Sequence, residues 1–193
     1  MKTVIIDYGA GNVKSLQFAL ERLGVAALLT KVPEEILAAD KIIFPGQGEA
    51  KSAMAKLKEN ELDLLLKDLK QPVLGICLGM QLFCSHSQEG DTEGLGIVSS
   101  EVVRFPITVK VPQMGWNLVQ HNQEGLFEGI SKESYMYLVH SYYVPLINET
   151  IARSEYSTLY SVAIQKDNFY GVQFHPEKSG KPGNRLLENF LKL

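Results

Sequence analysis

The sequence is poor in several things at once, and each shortage excludes a class of protein. Only two of its 193 residues are cysteines, Cys77 and Cys84. That rules out a disulfide framework and leaves two free thiols, the pattern of a reducing, cytoplasmic address. No stretch approaches the roughly 20 apolar residues that cross a bilayer. The short apolar start from Met1 to Gly11 meets Asp7 too soon to act as a signal peptide. Nineteen basic residues against twenty-two acidic ones leave a net charge of −3, and no basic cluster is present to engage nucleic-acid phosphates. No group of residues has zinc-ligand spacing, so no metal is expected. Repeats and low-complexity linkers are also missing. What remains is an ordinary globular composition, 45% hydrophobic and 21% charged, consistent with one domain over residues 1–193 whose core needs no staple.

Residues Thr3 to Asp7 read as a buried strand. After the turn Tyr8-Gly9-Ala10-Gly11, apolar Val13, Leu16, Ala19, Leu20 and Leu23 recur at helical spacing up to Gly24. Gly9-Ala10-Gly11 lacks the third glycine and the acidic residue of a dinucleotide loop, so it reads as a tight strand-to-helix turn and no cofactor is implied. The alternation continues with a strand at Ala26 to Thr30, a helix at Pro33 to Ala38 and a strand at Lys41 to Phe44. The loop Pro45-Gly46-Gln47-Gly48 leads into a helical stretch from Glu49 to Lys70 and a strand from Pro72 to Ile76. This predicts an α/β fold with a mostly parallel central sheet flanked by helices, its sites at the carboxyl ends of the strands. Beyond Gly94, strand-like segments at Ile97 to Val103, Ile107 to Val111, Asn117 to Val119, Tyr135 to His140, Thr150 to Ser154, Tyr160 to Lys166 and Phe169 to Phe174 predict additional antiparallel strands. A helix from Asn184 to Leu193 closes the chain.

Cys77 lies in Gly75-Ile76-Cys77-Leu78-Gly79, directly after an apolar strand and directly before the helical Met80-Gln81-Leu82-Phe83. That is the form of a nucleophile elbow with cysteine in place of serine. Glycines flank it because a sharp turn brings backbones together and leaves no room for a Cβ. The elbow also sets the sulfur at a helix N-terminus, where the dipole favours thiolate. Cys84, expected seven residues on along the same helix, has no such framing and reads as packing. His86 and His121 read as loop residues rather than ligands.

A cysteine nucleophile needs a base and a group to orient it. The strand Tyr170-Gly171-Val172-Gln173-Phe174 runs into His175-Pro176-Glu177. In extended backbone His175 and Glu177 point the same way, with Pro176 stiffening the link. Both half-motifs follow strands of one expected sheet, so cysteine, histidine and glutamate can meet at its rim.

Gly75 to Gln81 together with His175-Pro176-Glu177 resembles the triad (class I) glutamine amidotransferases, over essentially the whole chain. The resemblance implies their flavodoxin-like fold and the hydrolysis of glutamine through a cysteine thioester. Cys77 would attack the side-chain amide, His175 would carry the proton to departing ammonia, and Glu177 would orient His175. It also implies oxyanion donors from Gly46, Gln47 and Gly48, where the family often carries valine in place of Gln47, and from Leu78. Substrate contacts are implied at Gln81, Glu89 and the segment His140-Ser141-Tyr142.

Within that family, Lys110 to Asn117 and Tyr137 to Tyr142 are similar to the glutaminase subunits of imidazole glycerol phosphate synthases, which more often carry histidine where this chain has Gln113. That likeness implies a heterodimer with a cyclase subunit, a (β/α)8 barrel that uses the ammonia in histidine biosynthesis. Gln113, Met114, Trp116, Asn117 and Tyr137 are the candidate docking residues. With no acceptor domain after Glu177, the ammonia is expected to serve another polypeptide. The competing readings are the glutaminase subunit of a pyridoxal phosphate or anthranilate synthase, a thiol peptidase on the same elbow, and a noncatalytic scaffold.

Overall fold

The apolar runs Thr3–Ile6, Lys41–Phe44 and Val73–Ile76 are buried at every position, as strands in a sheet covered on both faces must be. The structure, a computed structural model, describes residues 1–9 and 13–193. The Ala10-Gly11 part of the first turn therefore lies outside the described residues. In chain order the elements are β1 (Thr3–Ile6), α1 (Lys14–Arg22), β2 (Leu28–Thr30), α2 (Pro33–Leu37), β3 (Lys41–Phe44), α3 (Ala50–Glu59), α4 (Leu62–Asp68), β4 (Val73–Ile76) and α5 (Leu78–Leu82). There follow β5 (Cys84–Ser87), β6 (Thr92–Glu93), β7 (Val98–Arg104), β8 (Gln113–His121), β9 (Glu133–His140), β10 (Tyr142–Tyr143), β11 (Thr150–Glu155), β12 (Leu159–Lys166), β13 (Phe169–Val172) and α6 (Gly180–Lys192).

Among the described residues nine strands form one sheet in the order β2-β1-β3-β4-β13-β12-β11-β8-β9. The first five are parallel, and their order is the flavodoxin-like one, which opens its crevice at the carboxyl ends of the strands. The remaining four join antiparallel. A smaller sheet, β10-β7-β5-β6, sits beside them. Alternate residues of the parallel strands feed two cores. Val4, Ile6, Ile42, Phe44 and Val73 pack with Ile36, Met54, Leu57, Leu62 and Leu66 of α2 to α4. Ile5, Ile43, Leu74, Ile76 and Val172 pack with Leu16 and Leu20 of α1 and Leu186, Leu187 and Phe190 of α6.

The predicted α/β architecture is thus present, with local differences. The stretch from Glu49 to Lys70 is two helices: Asn60 Nδ2 donates to the Lys56 carbonyl at 2.7 Å and Glu61 turns left-handed at φ 54°. The break rephases the chain so that Leu62 and Leu66 join the same core as Met54 and Leu57. Helix α5 ends at Leu82, so Cys84 opens strand β5 instead of extending the helix. It is packing nonetheless, fully buried, with its thiol pushed up to about 12 by burial and then by Glu149. Residues Ile107 to Val111 form a turn, not a strand: Val109 N–H bonds the Pro106 carbonyl at 3.3 Å and Ile107 faces solvent. His86 and His121 lie in β5 and β8 rather than in loops. The final helix starts four residues earlier than expected, at Gly180.

One long-range contact positions the site. Strand β9 ends the sheet, yet its outer edge is not open, because the His175 N–H donates to the Tyr137 carbonyl at 2.9 Å and the Tyr137 N–H donates to Ser179 Oγ at 3.0 Å. The antiparallel ribbon curls back onto the segment that follows β13.

Candidate active site

Cys77 follows the last residue of β4, and its N–H donates to the Val172 carbonyl of β13 at 2.7 Å. It adopts φ 54° and ψ −110°, a region that side chains normally avoid, and so turns the chain from strand to α5. The glycine spacing is steric, as expected. A Cβ on Gly75 would lie 2.6 Å from the Phe83 ring, and one on Gly79 would lie 2.1 Å from the Phe44 carbonyl oxygen. The loop after β3 leans on the same elbow, where a Cβ on Gly46 would stand 2.3 Å from the Gly79 nitrogen. Backbone contact thus fixes Gly46 beside Cys77.

His175 and Glu177 come from the segment after β13, the strand adjacent to β4. His175 Nδ1 and Glu177 Oε1 are 2.9 Å apart, and their side chains are 4% and 5% exposed. The pairing arises differently from the extended geometry expected from sequence: Pro176–Lys178 is a single 3-10 turn, and that turn folds the carboxylate back onto the ring. Burial pulls His175 down, but its hydrogen bonds to Cys77 and Glu177, and their charges, overcome this and raise it to about 10. That shift favours the imidazolium form of the ring beside the sulfur.

A cavity of about 330 Å³ opens over the thiol, within the range of small-molecule sites. Gly46, Gln47, Gly48 and Leu78 line it together with Gln81, Glu89, His140, Ser141 and Tyr142. The predicted triad, oxyanion loop and substrate-contact residues are thus brought together. Leu78 opens α5, and helical geometry leaves the first amides of a helix without an internal acceptor.

Several of these side chains are committed elsewhere. Gln81 is buried and its Nε2 donates to the Tyr142 carbonyl and to Gln173 Oε1, each at 2.8 Å. Glu89 Oε2 accepts the Ala50 N–H at 2.8 Å. Burial raises its carboxyl, with Glu49 adding to the effect, and the Ala50 hydrogen bond only partly opposes them. His140 bonds the Tyr142 carbonyl through Nδ1 at 2.7 Å and approaches Tyr160 Oη through Nε2 at 3.4 Å. It is held neutral, down to about 4: burial dominates, the Tyr142 carbonyl opposes it, and nearby His175 adds to the lowering.

The docking candidates separate by face. Successive residues of a strand point to opposite sides, so Met114 and Trp116 of β8 are exposed, at 66% and 56%, while Gln113 is buried. Gln113 Oε1 accepts the Tyr160 hydroxyl at 3.0 Å, and Asn117 Nδ2 donates to the Glu155 carbonyl at 2.9 Å. Gln113 is therefore an interior residue and not a surface contact, and Asn117 lies on its side of the strand. Across the ribbon Met114 pairs with Val139, Trp116 with Tyr137 and Leu118 with Tyr135. The Trp116 and Tyr137 rings meet edge-on at 6.2 Å.

Three features escaped the sequence reading. Gln173 is wholly buried, with Nε2 3.6 Å from Cys77 Sγ; its signal was a lone amide inside an apolar strand. The Val139 carbonyl lies 3.8 Å from the same sulfur, and Lys178 lines the cavity. A backbone carbonyl carries no sequence signal. Among the described residues no group of His, Cys, Asp and Glu could hold a metal, and no helix is long and apolar enough to cross a membrane.

A cysteine elbow, a histidine–carboxylate pair and a glycine loop on adjacent parallel strands define a thiol-dependent amidohydrolase site. The sequence matches the class-I glutamine amidotransferase family over residues 4–193, and the chain belongs to that family. The imidazole glycerol phosphate synthase subunit HisH of Bacteroides fragilis is 50% identical over 196 aligned residues, covering 100% of both chains. That of Vibrio cholerae is 46% identical over 98% of each. A glutamine amidotransferase crystal structure superposes with a TM-score of 0.77 at 19% identity, over 98% of this chain and 97% of the other. A glutamine amidotransferase of Thermotoga maritima gives 0.67 at 15%, over 100% and 83%. At those identities the structural likeness speaks for the fold alone.

Proposed function

We propose that the chain is the glutaminase subunit of an imidazole glycerol phosphate synthase, in which it hydrolyses glutamine and passes ammonia to a cyclase subunit. The observation that carries the chemistry is the meeting of Cys77, His175 and Glu177 at the ends of β4 and β13 beneath one cavity. The full-length likeness to the HisH subunits supports the pathway.

The Cys77 sulfur attacks the side-chain carbonyl carbon of glutamine, and the electron pair moves to the carbonyl oxygen. Backbone N–H groups of Leu78 and of the Gly46 to Gly48 loop stabilise that oxyanion, each donor of this kind being worth roughly 3 kcal/mol in hydrolases. As the tetrahedral species collapses, the imidazolium of His175 gives its proton to the departing nitrogen, and ammonia and a thioester remain. His175 then takes a proton from water, which attacks the thioester and releases glutamate and the thiol. Glu177 fixes the ring and stabilises its charged form.

The outer face of the β8–β9 ribbon supports docking on the cyclase. Met114, Trp116, Leu118, Tyr135, Tyr137 and Val139 form a continuous apolar and aromatic surface, the kind that marks an interaction site. Val139 belongs both to this surface and to the wall of the cavity, so a partner seated there lies next to the departing ammonia. A thiol chemistry that requires reduced sulfur suits a cytoplasmic address.

Glutamate release tests the proposal, measured for the chain alone and then with an imidazole glycerol phosphate synthase cyclase and its ribonucleotide ligand. Strong stimulation that disappears in Cys77→Ala is the expected result. Activity indifferent to the cyclase refutes the partner, and absence of activity under every condition refutes the glutaminase.

A further inference from the structure

The parallel register of β4 and β13 ends with Ile76 beside Val172, so the next residues, Cys77 and Gln173, face each other across the strands. Gln173 also stands two residues before His175. Its side chain is wholly buried, and its hydrogen bonds determine which end of the amide meets the sulfur. The Tyr142 carbonyl can only accept, so Gln81 must present its NH2 group there, at 2.8 Å. The same NH2 group reaches Gln173 at 2.8 Å, which makes that atom Oε1. Gln173 must then turn its own NH2 group to Cys77 Sγ, 3.6 Å away. His140 completes the arrangement from the other side through its Nδ1 bond to the same Tyr142 carbonyl.

The sulfur therefore meets two partners of opposite preference. The Val139 carbonyl at 3.8 Å can only accept, and so favours the S–H form. An amide N–H can only donate to sulfur, and so favours the thiolate.

We propose that Gln173 is a catalytic residue, a buried N–H donor that stabilises the Cys77 thiolate and the negative sulfur of the thioester's leaving group, with Gln81 and the Tyr142 carbonyl fixing its direction. This rests on the glutaminase reading only for the identity of the substrate. The other titratable groups around the sulfur are His175 and Glu177 after β13, Tyr8 after β1, His140 at the end of β9, Tyr142 in β10, and Glu89 and Lys178 around the cavity. Substitution at Gln173 leaves all of them in place.

The test is the pH dependence of Cys77 alkylation by iodoacetamide, followed by mass spectrometry of the Cys77 peptide, in the full chain and in Gln173→Met. Cys84 is fully buried with its thiol pushed up to about 12, so the signal belongs to Cys77. The expected result is an inflection about one pH unit higher in Gln173→Met, which is about tenfold in the thiolate equilibrium. A similar fall in glutamate release at neutral pH should accompany it. A folded Gln173→Met with an unmoved inflection overturns the proposal, even if its turnover is lower. If that variant does not fold, Gln81→Met, which frees the Gln173 amide to flip, should raise the inflection by a smaller amount, and no rise there overturns it. Alkylation needs no glutamine. A shifted inflection in a chain that never releases glutamate would uphold Gln173 and refute the substrate, whereas an unshifted one in an active glutaminase would do the reverse.

Discussion

Cys77, the proposed nucleophile, sits in a backbone conformation that few side chains tolerate, and that strain is measurable. At φ 54° and ψ −110°, a residue with a Cβ costs of order 1–3 kcal/mol. Cys77→Ala keeps the strain while removing the sulfur; Cys77→Gly releases it. Two terms oppose the release: glycine's extra freedom in the unfolded chain, about 0.4–1 kcal/mol, and the loss of one buried methyl, about 0.8 kcal/mol. A strain of about 2.5 kcal/mol, in the upper part of the range because ψ lies well away from the left-handed helical well, leaves a net gain of about 1 kcal/mol for glycine over alanine. For a chain of this size that is about 2–4 °C in Tm. Scanning calorimetry of the two variants, both devoid of glutaminase activity, is the assay. A Cys77→Gly variant that melts at or below Cys77→Ala would show that the elbow stores no strain and would refute the reasoning.

Gly46→Ala inserts a Cβ 2.3 Å from the Gly79 nitrogen; since overpacking costs about 1–3 kcal/mol and the loop is pushed off the elbow, glutamate release should fall by about 100-fold, a loss that normal turnover in a steady-state assay would contradict. The alkaline limb of the pH–activity profile, set by His175 remaining protonated to about 10, should move to lower pH in Glu177→Gln, because the lost carboxylate had raised the ring. His140 is held neutral to about 4 against an ordinary value of 6.5, so the unfolded chain binds one more proton between those values and stability falls as pH drops through them. Urea titrations of His140→Gln should show a shallower acid slope than the parent, and equal slopes would count against a buried neutral ring. Trp116→Ala should weaken cyclase binding by tenfold or more while moving Tm by no more than about 1 °C, as befits a side chain 56% exposed; isothermal titration and thermal melts read the two effects separately.

Much of this site could be read along the chain, because the strongest signals are local. The parallel strands are short unbroken apolar runs, and the elbow is a cysteine held between glycines. The His-Pro-Glu triplet comes shortly after a strand. Signals that depend on pairing were weaker. Gln113 and Asn117 were grouped with Met114 and Trp116 as one surface stretch, although a strand sends alternate residues to opposite faces, and only the β8–β9 register shows which pair is outside. Strands β5, β6 and β10 are only four, two and two residues long, too short to carry a pattern of their own. The halves of the helical stretch from Glu49 to Lys70 are both amphipathic, and nothing in their periodicity marks the left-handed Glu61 between them. Gln173 was passed over as one polar residue in an apolar strand; its importance follows from lying opposite Cys77, a long-range fact.

The hydrogen bond from the His175 N–H to the Tyr137 carbonyl joins the proposed catalytic base to the edge of the proposed docking ribbon by a single peptide contact. Any free energy that a docked partner spends in holding Tyr137 is also spent on the placement of His175, and coupling between two binding events is reciprocal. If the partner improves the fit of glutamine by some factor, glutamine must improve the grip on the partner by the same factor. A chain blocked at Cys77 by a glutamine-like acylating agent should accordingly hold its partner longer than a vacant one, and the complex would be most durable while nitrogen is in transit.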